Sequence, residues 1–283
     1  MLWTTSLAAQ EEQRRVLIVF GHNATAPGAV AFNRNLQSHF FEKQSINVEF
    51  YSELLDFDRF PDRERWPTLA RAITVKHGKT PPAVIVTEGS AALQFAVDHL
   101  RPSFPNIPII YAITFDPIID YSKLPANVTG RRQTTGFAET LLLAKRLQPD
   151  AERVVLIGGA SMLESAMFNA AVRELRPLLG HMTLVPMQDW TYPTLLQSLR
   201  KLPPRTIALL SSFRRDQRDY AFSSGDLIAS ITNVSAAPVY GVARNWVGNG
   251  IVGGAVLDFE AEGRATASML ESVLRDSNAP LPP

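Results

Sequence analysis

A chain of 283 residues, 46% hydrophobic and 19% charged, has the balance of a globular protein and the length for two lobes. Its formal net charge of +1 supplies no field that would hold a nucleic acid or an anionic membrane, so no nucleic-acid partner is expected. The absence of cysteine excludes disulfides, thiolate zinc sites and cysteine nucleophiles, and is compatible with an oxidising compartment.

Residues 1–13, MLWTTSLAAQEEQ, read as the remnant of an export signal or membrane anchor, or as a chance run. Ser6-Leu7-Ala8-Ala9 offers small residues at the positions a signal peptidase reads, and a polar QEEQRR follows. No stretch approaches the roughly 18 uninterrupted apolar residues of a membrane span.

From there the chain alternates. Apolar strand candidates begin near Arg14, Ile46, Ala83 and Ile107, separated by helical patterns around Ala29–Glu42, Trp66–His77 and Ala91–Leu100. After Val128-Thr129-Gly130 the rhythm restarts. Strands are expected from Arg153, His181, Thr206 and Ala237, with helices around Glu164–Leu175, Thr191–Leu199 and Asp226–Thr232. Strands separated by helices imply parallel sheets covered on both faces. Two such sets imply two α/β lobes, residues 14–115 and residues 133–240. The last segment, Gly250 to Arg275, reads as one more strand and a long helix that return to complete the first lobe, with a hinge between lobes. Residues 276–283, ending in NAPLPP, read as a linker-like tail.

Four segments carry a resemblance: TEGSAALQF, YAITFDPI, APVYGVARNWVGNGIVGG and LDFEAEGRATASMLESVL. In that order and spacing the chain resembles extracytoplasmic solute-binding proteins related to the substrate-binding components of ABC transporters. The resemblance implies a type I periplasmic-binding-protein fold, with two doubly wound parallel-sheet lobes and a small organic solute between them. FYSELLDFDRFPD and LAKRLQPDAERVVLIGGAS resemble a narrower group, in which this domain is the sensory input of membrane histidine kinases. That group implies a periplasmic, membrane-tethered sensor that signals by lobe closure. The alternative is a free component of an uptake system, partnered with a permease. A sensor would be expected to pair as a homodimer, although no heptad run supports one.

Candidate site residues follow the strand ends, where open α/β sheets place ligands. Ser90 and Ala91 stand at a strand, glycine, helix junction. TEGSAAL has no glycine two residues before or after Ser90, so a nucleophile elbow is absent. Ser90 reads as a ligand contact, as an N-cap, or as both. His22, Asn23 and Thr25 sit in GHNATAPGA, which lacks the glycine and Lys-Ser/Thr pattern of a phosphate loop and reads equally as a solvated turn. Thr114 and Asp116 end YAITFDPI; the family implies a ligand-facing or hinge-adjacent loop there, and Asp116 reads otherwise as a helix cap.

In the second lobe Ser161 and Met162 repeat the Ser90 arrangement and are expected to face it. Phe213, Arg214 and Arg215 lie in SSFRRDQRDYAF, where an arginine would hold a ligand carboxylate, or where a mixed charge run would simply be solvated; with the two helix starts and the aromatics, the Arg214/Arg215 pair leads to the expectation of an organic acid, aromatic acid or amino acid as solute. Arg244 and Trp246 follow the last strand, with Trp246 lining the cleft or packing in the hinge. No metal-binding spacing and no convincing pair of catalytic carboxylates is found, so no cofactor is expected and an enzyme on the same scaffold stands only as the third reading, after sensor and uptake component.

Overall fold

The computed structural model describes residues 13–23, 25–43, 46–57, 59–115, 119–222 and 224–276. The readings made for residues 1–12, for Asp116 and for residues 277–283 lie outside the described residues.

The first sheet is built from β1 (Arg14–Phe20), β2 (Val48–Leu54), β3 (Val84–Glu88), β4 (Ile109–Phe115) and β5 (Val128–Gln133). Its order is β2-β1-β3-β4-β5, all parallel. Every β3 residue is buried, which is why Val84-Ile85-Val86 runs apolar without alternation, with Thr87 and Glu88 buried after it. Helices α1 (Pro27–Lys43) and α8 (Phe259–Arg275) cover one face, joining Phe32, Leu36 and Phe40 to Ala267, Leu270 and Leu274 in one core. Helix α2 (Trp66–His77) and the short helix α3 (Ser90–Phe95), which runs on as a π-helical turn over Ala96–Leu100, cover the other.

The second sheet has the order β7-β6-β8-β9, again parallel throughout. Its strands are β6 (Arg153–Gly158), β7 (Thr183–Met187), β8 (Thr206–Ser212) and β9 (Val239–Gly241). Helices α4 (Phe137–Leu147) and α5 (Met162–Leu175) pack on one face through Phe137, Leu141 and Phe168. Helices α6 (Tyr192–Leu199) and α7 (Ser224–Val234) pack on the other through Leu195, Leu199 and Ile231. Phe115 touches a core of each sheet and so ties the two units together.

Three differences from the sequence reading matter. Strand β5 belongs to the first sheet, beyond the expected end of that lobe at residue 115; its charged, half-exposed edge pattern VTGRRQ carries little strand signal. Helix α4 was not anticipated as an element. The segment over Ile251–Leu257, expected to close the first sheet, instead follows β9 at the edge of the second. Val252 N–H donates to the Val239 carbonyl at 2.8 Å, Gly241 N–H to Gly253 at 3.1 Å, and Leu257 N–H to Val242 at 2.8 Å. The glycines explain the detour. A Cβ on Gly254 would lie 2.1 Å from the Gly241 carbonyl oxygen, and Gly254 has φ +159, so this edge admits the chain only without a side chain. Helix α8 alone returns to the first unit.

At that return Asp258 caps α8, accepting from the N–H groups of Glu260 and Ala261 at 3.0 Å, and pairs with Arg244 at 2.7 Å. Burial raises the Asp258 pKa, but those N–H groups and Arg244 outweigh it and hold the carboxyl below its ordinary value. Four residues on, burial pushes the Glu262 carboxyl up. Glu262 accepts from Gln133, at the end of β5, at 2.6 Å, so the outgoing and returning connections are bonded to each other.

Candidate ligand-binding site

In both sheets the order reverses beside the first strand of the set, between β1 and β3 and between β6 and β8, and the loops leaving those strands face one cleft. In the first unit those loops carry His22 and Gly89-Ser90; in the second they carry Ser161 and Ser212-Phe213. Two cavities occupy the cleft, and His22 is the lining residue they share.

The first cavity, about 290 Å³, is lined by Asn23, Thr25, Glu88, Arg59 and Phe259 from the first unit. The second unit contributes Phe213, Arg214, Asn245 and Trp246. His22 Nδ1 lies 2.7 and 2.8 Å from the two oxygens of Glu88, whose side chain is fully buried. A carboxylate so enclosed needs a partner, and His22 supplies one. Gly89 makes that approach possible: it takes φ +93, and a Cβ there would sit 3.2 Å from the imidazole. Asn23 Oδ1 accepts from the backbone and hydroxyl of Thr25 at 3.0 and 2.8 Å, so both residues hold the loop in shape while lining the cavity. Asn245 Oδ1 is buried without a partner.

The second cavity, about 270 Å³, is walled by Phe57, Pro61 and Trp66 from the first unit and Met162, Leu163 and Ala166 from the second. Ser90, Ala91 and Ser161 line it, as do Arg63 and Gln94. Ser90 is not the cap of α3. Gly89 is, and Ser90 is the first helical residue, 4% exposed, with its Oγ bonded to nothing. Trp66 is 3% exposed and its Nε1 likewise lacks a partner. Its ring is held at the edge of Phe95, at 5.8 Å, and close to Phe57, at 4.8 Å, with the Arg63 guanidinium 4.8 Å above it. Ser161, by contrast, is the N-cap of α5, with Glu164 completing a capping box. Glu164, almost fully buried, also accepts from the Ser212 hydroxyl at 3.1 Å and from the Arg214 N–H.

Several expected contacts lie elsewhere. Arg215 lines neither cavity. Its Nη1 is 2.5 Å from Asp219, four residues on, and its Nη2 donates to the Arg59 carbonyl at 3.2 Å, so it bridges the two units directly. The charged run is not a loose solvated loop: buried Asp216 accepts from the N–H groups of Tyr192, Arg218 and Tyr220 and folds it into a tight turn. Arg244 is exposed and paired with Asp258, outside both cavities. Thr114 is fully buried and accepts from Tyr121 Oη at 2.8 Å, one residue past Ile113, where β4 shifts register at φ +56.

Sequence reasoning missed Glu88, Phe57, Trp66 and Arg63. Glu88 had a signal, a carboxylate inside an otherwise apolar strand. The other three come from the loop after β2 and the start of α2 and had none. The described residues contain no cluster of three or more His, Asp or Glu placed to hold a metal, and no helix long and apolar enough to cross a membrane.

No family model and no curated protein matches the chain. Solved structures do. An ABC domain in complex with L-Trp from Streptococcus pneumonia superposes with a TM-score of 0.67 at 15% identity, over 96% of this chain and 88% of that one. The ligand-free, open form of a substrate binding protein with adhesive properties from Clostridium difficile gives 0.63 at 16%, over 95% and 88%. The chain has the type I periplasmic-binding-protein fold. An ABC transporter solute binding protein from Agrobacterium vitis with bound allitol gives 0.60 at 11%, over 95% and 91%. An amino-acid complex and a polyol complex thus share this fold, so only the side chains of this chain's own cleft bear on what it takes.

Proposed function

We propose that the chain is an extracytoplasmic solute-binding module that takes one small organic molecule between its two sheets and reports it by closing. One observation carries the reading. Ser90 and Trp66 both line a cavity bounded by both units, and Ser90 Oγ and Trp66 Nε1 are buried without partners. A fold gains nothing by burying two polar groups unpaired, at about 1–3 kcal/mol each, unless something else pairs with them. The same observation argues against a nucleophilic role for Ser90, because no base touches its hydroxyl.

A solute touching α3 and α5 together has both sets of contacts only when the units approach, so binding favours the closed arrangement. The Arg215 to Arg59 bond adds a contact of the same sense. Closure would be read by a membrane protein. The two segments resembling kinase-linked sensors favour a periplasmic sensor domain, tethered to the membrane through an attached histidine kinase. The similarity to transporter binding proteins favours a free component of an uptake system equally well. Reading the complete gene separates them: kinase segments in the same frame select the first.

Thermal shift against a library of acids, amino acids, sugars and amines tests the common part. At least one class should raise the melting temperature, and that solute should reduce the radius of gyration in small-angle scattering. A library in which no solute does either overturns the reading.

A further inference from the structure

The Ser90 cavity has a hydrogen-bonding sense, and the sense names a ligand class. Both unpartnered groups in it can donate, and the indole N–H can do nothing else. Two of its side-chain acceptors already take one bond each from within the protein. Ser161 Oγ takes the Glu164 N–H at 3.3 Å, and Gln94 Oε1 takes an Arg63 N–H at 2.9 Å. No Asp or Glu lines it, while Arg63 does, as does His22 with its Nδ1 against Glu88. The buried carboxylate of Glu88 lines the neighbouring cavity with both oxygens against His22 Nδ1, and the unpartnered acceptor Asn245 Oδ1 belongs to that cavity as well.

We propose, resting on the solute-binding reading, that the Ser90 cavity selects a small organic acid with an apolar body and no ammonium group. The carboxylate accepts from the Ser90 hydroxyl and the Trp66 N–H, beside the positive charge of Arg63. The apolar body packs on Phe57, Met162 and Leu163. An α-ammonium group, held within two bonds of the carboxylate, would be buried beside Arg63 with no carboxylate in the lining to pair it, and an unpaired buried charge is costly. A neutral amide in place of the acid would keep one acceptor and lose the charge-assisted bond.

Matched probes test this: 3-phenylpropionate against L-phenylalanine, 4-methylpentanoate against L-leucine, and indole-3-propionate against L-tryptophan, each also as the primary amide of the acid. Calorimetric titration of the full chain should show at least one acid binding about tenfold or more tightly than its amino acid and its amide. Ser90→Ala should cost that acid about tenfold, the loss expected for a hydrogen bond to a charged group. Trp66→Phe should weaken it too, with melting temperatures recorded so that misfolding is seen as such. An amino acid or amide that binds as tightly as its acid overturns the inference and leaves the solute-binding reading standing. So does an acid whose affinity Ser90→Ala leaves unchanged. A sugar or amine that binds while every acid fails does the same, and silence from every class overturns both.

Discussion

The two units meet the cleft with the same local sequence, a strand, a glycine, a serine and a helix, and use it in opposite ways. In the second unit Ser161 is the cap of α5, Glu164 answers it, and the Glu164 carboxylate goes on to hold Ser212 and the Arg214 N–H. In the first unit Gly89 takes the cap position and Ser90 Oγ is left buried and unpaired. One serine is spent on the fold and the other is held in reserve. Polar satisfaction, rather than position in the chain, separates a structural serine from a candidate ligand contact.

The contrast can be broken from the structural side. Glu164→Ala should be the most damaging change, about 3 kcal/mol, because it leaves the N–H groups of Ser161 and Arg214 and the Ser212 hydroxyl without their acceptor inside a buried junction. Urea unfolding reads it directly, and a loss under about 1 kcal/mol would mean that water replaces the carboxylate. Ser161→Ala should cost about 1 kcal/mol, the ordinary worth of a cap. Thr87→Val should move the other way. Thr87 Oγ1 is fully buried in β3 with no partner, so replacing the hydroxyl by a methyl should raise stability by about 1 kcal/mol. A destabilised Thr87→Val would show that its hydroxyl has a bound partner after all.

The smallest effect is electrostatic. Asp258 has its folded-state pKa below the ordinary 3.8, so its contribution is present above that value and disappears as the pH falls through the lower one. Glu262 has its folded-state pKa above 4.5, so its protonated form favours folding below 4.5 and that advantage is lost as the pH rises through the higher value. Glu262→Gln should therefore flatten the decline in melting temperature above about pH 4.5 while leaving the acid limb, set in part by Asp258, in place. An identical pH profile in the variant would remove burial of the charge as the cause.

Much of the architecture is legible in the sequence because buried parallel strands are apolar without interruption and helices are punctuated by Gly, Ser and Asp. The exceptions are physical. β5 lies at an edge and wears charged residues, so it does not read as a strand. The segment over Ile251–Leu257 is apolar enough for either sheet, and only its fit against Gly241 and Thr140 shows which one it follows. At the cleft, strand ends locate Ser90, Ser161, His22 and Phe213, because that is where the topology brings the loops together. Arg215 looks like a ligand contact until Asp219 and the Arg59 carbonyl are seen to occupy it. Trp66, whose N–H is the second unpartnered donor, stands beside Pro67 at a helix start and gives no sign in the chain that it lines a cavity with Ser90.

Native mass spectrometry of the protein as purified, with Ser90→Ala and Ser161→Ala prepared alongside, tests the central claim that the unpaired serine awaits a solute. The account predicts that the wild type carries a single small-molecule adduct, released on denaturation. Ser161→Ala should retain it despite its lower stability, and Ser90→Ala should lose most of it while remaining as stable as the wild type. An adduct equally abundant in the wild type and Ser90→Ala would contradict the account.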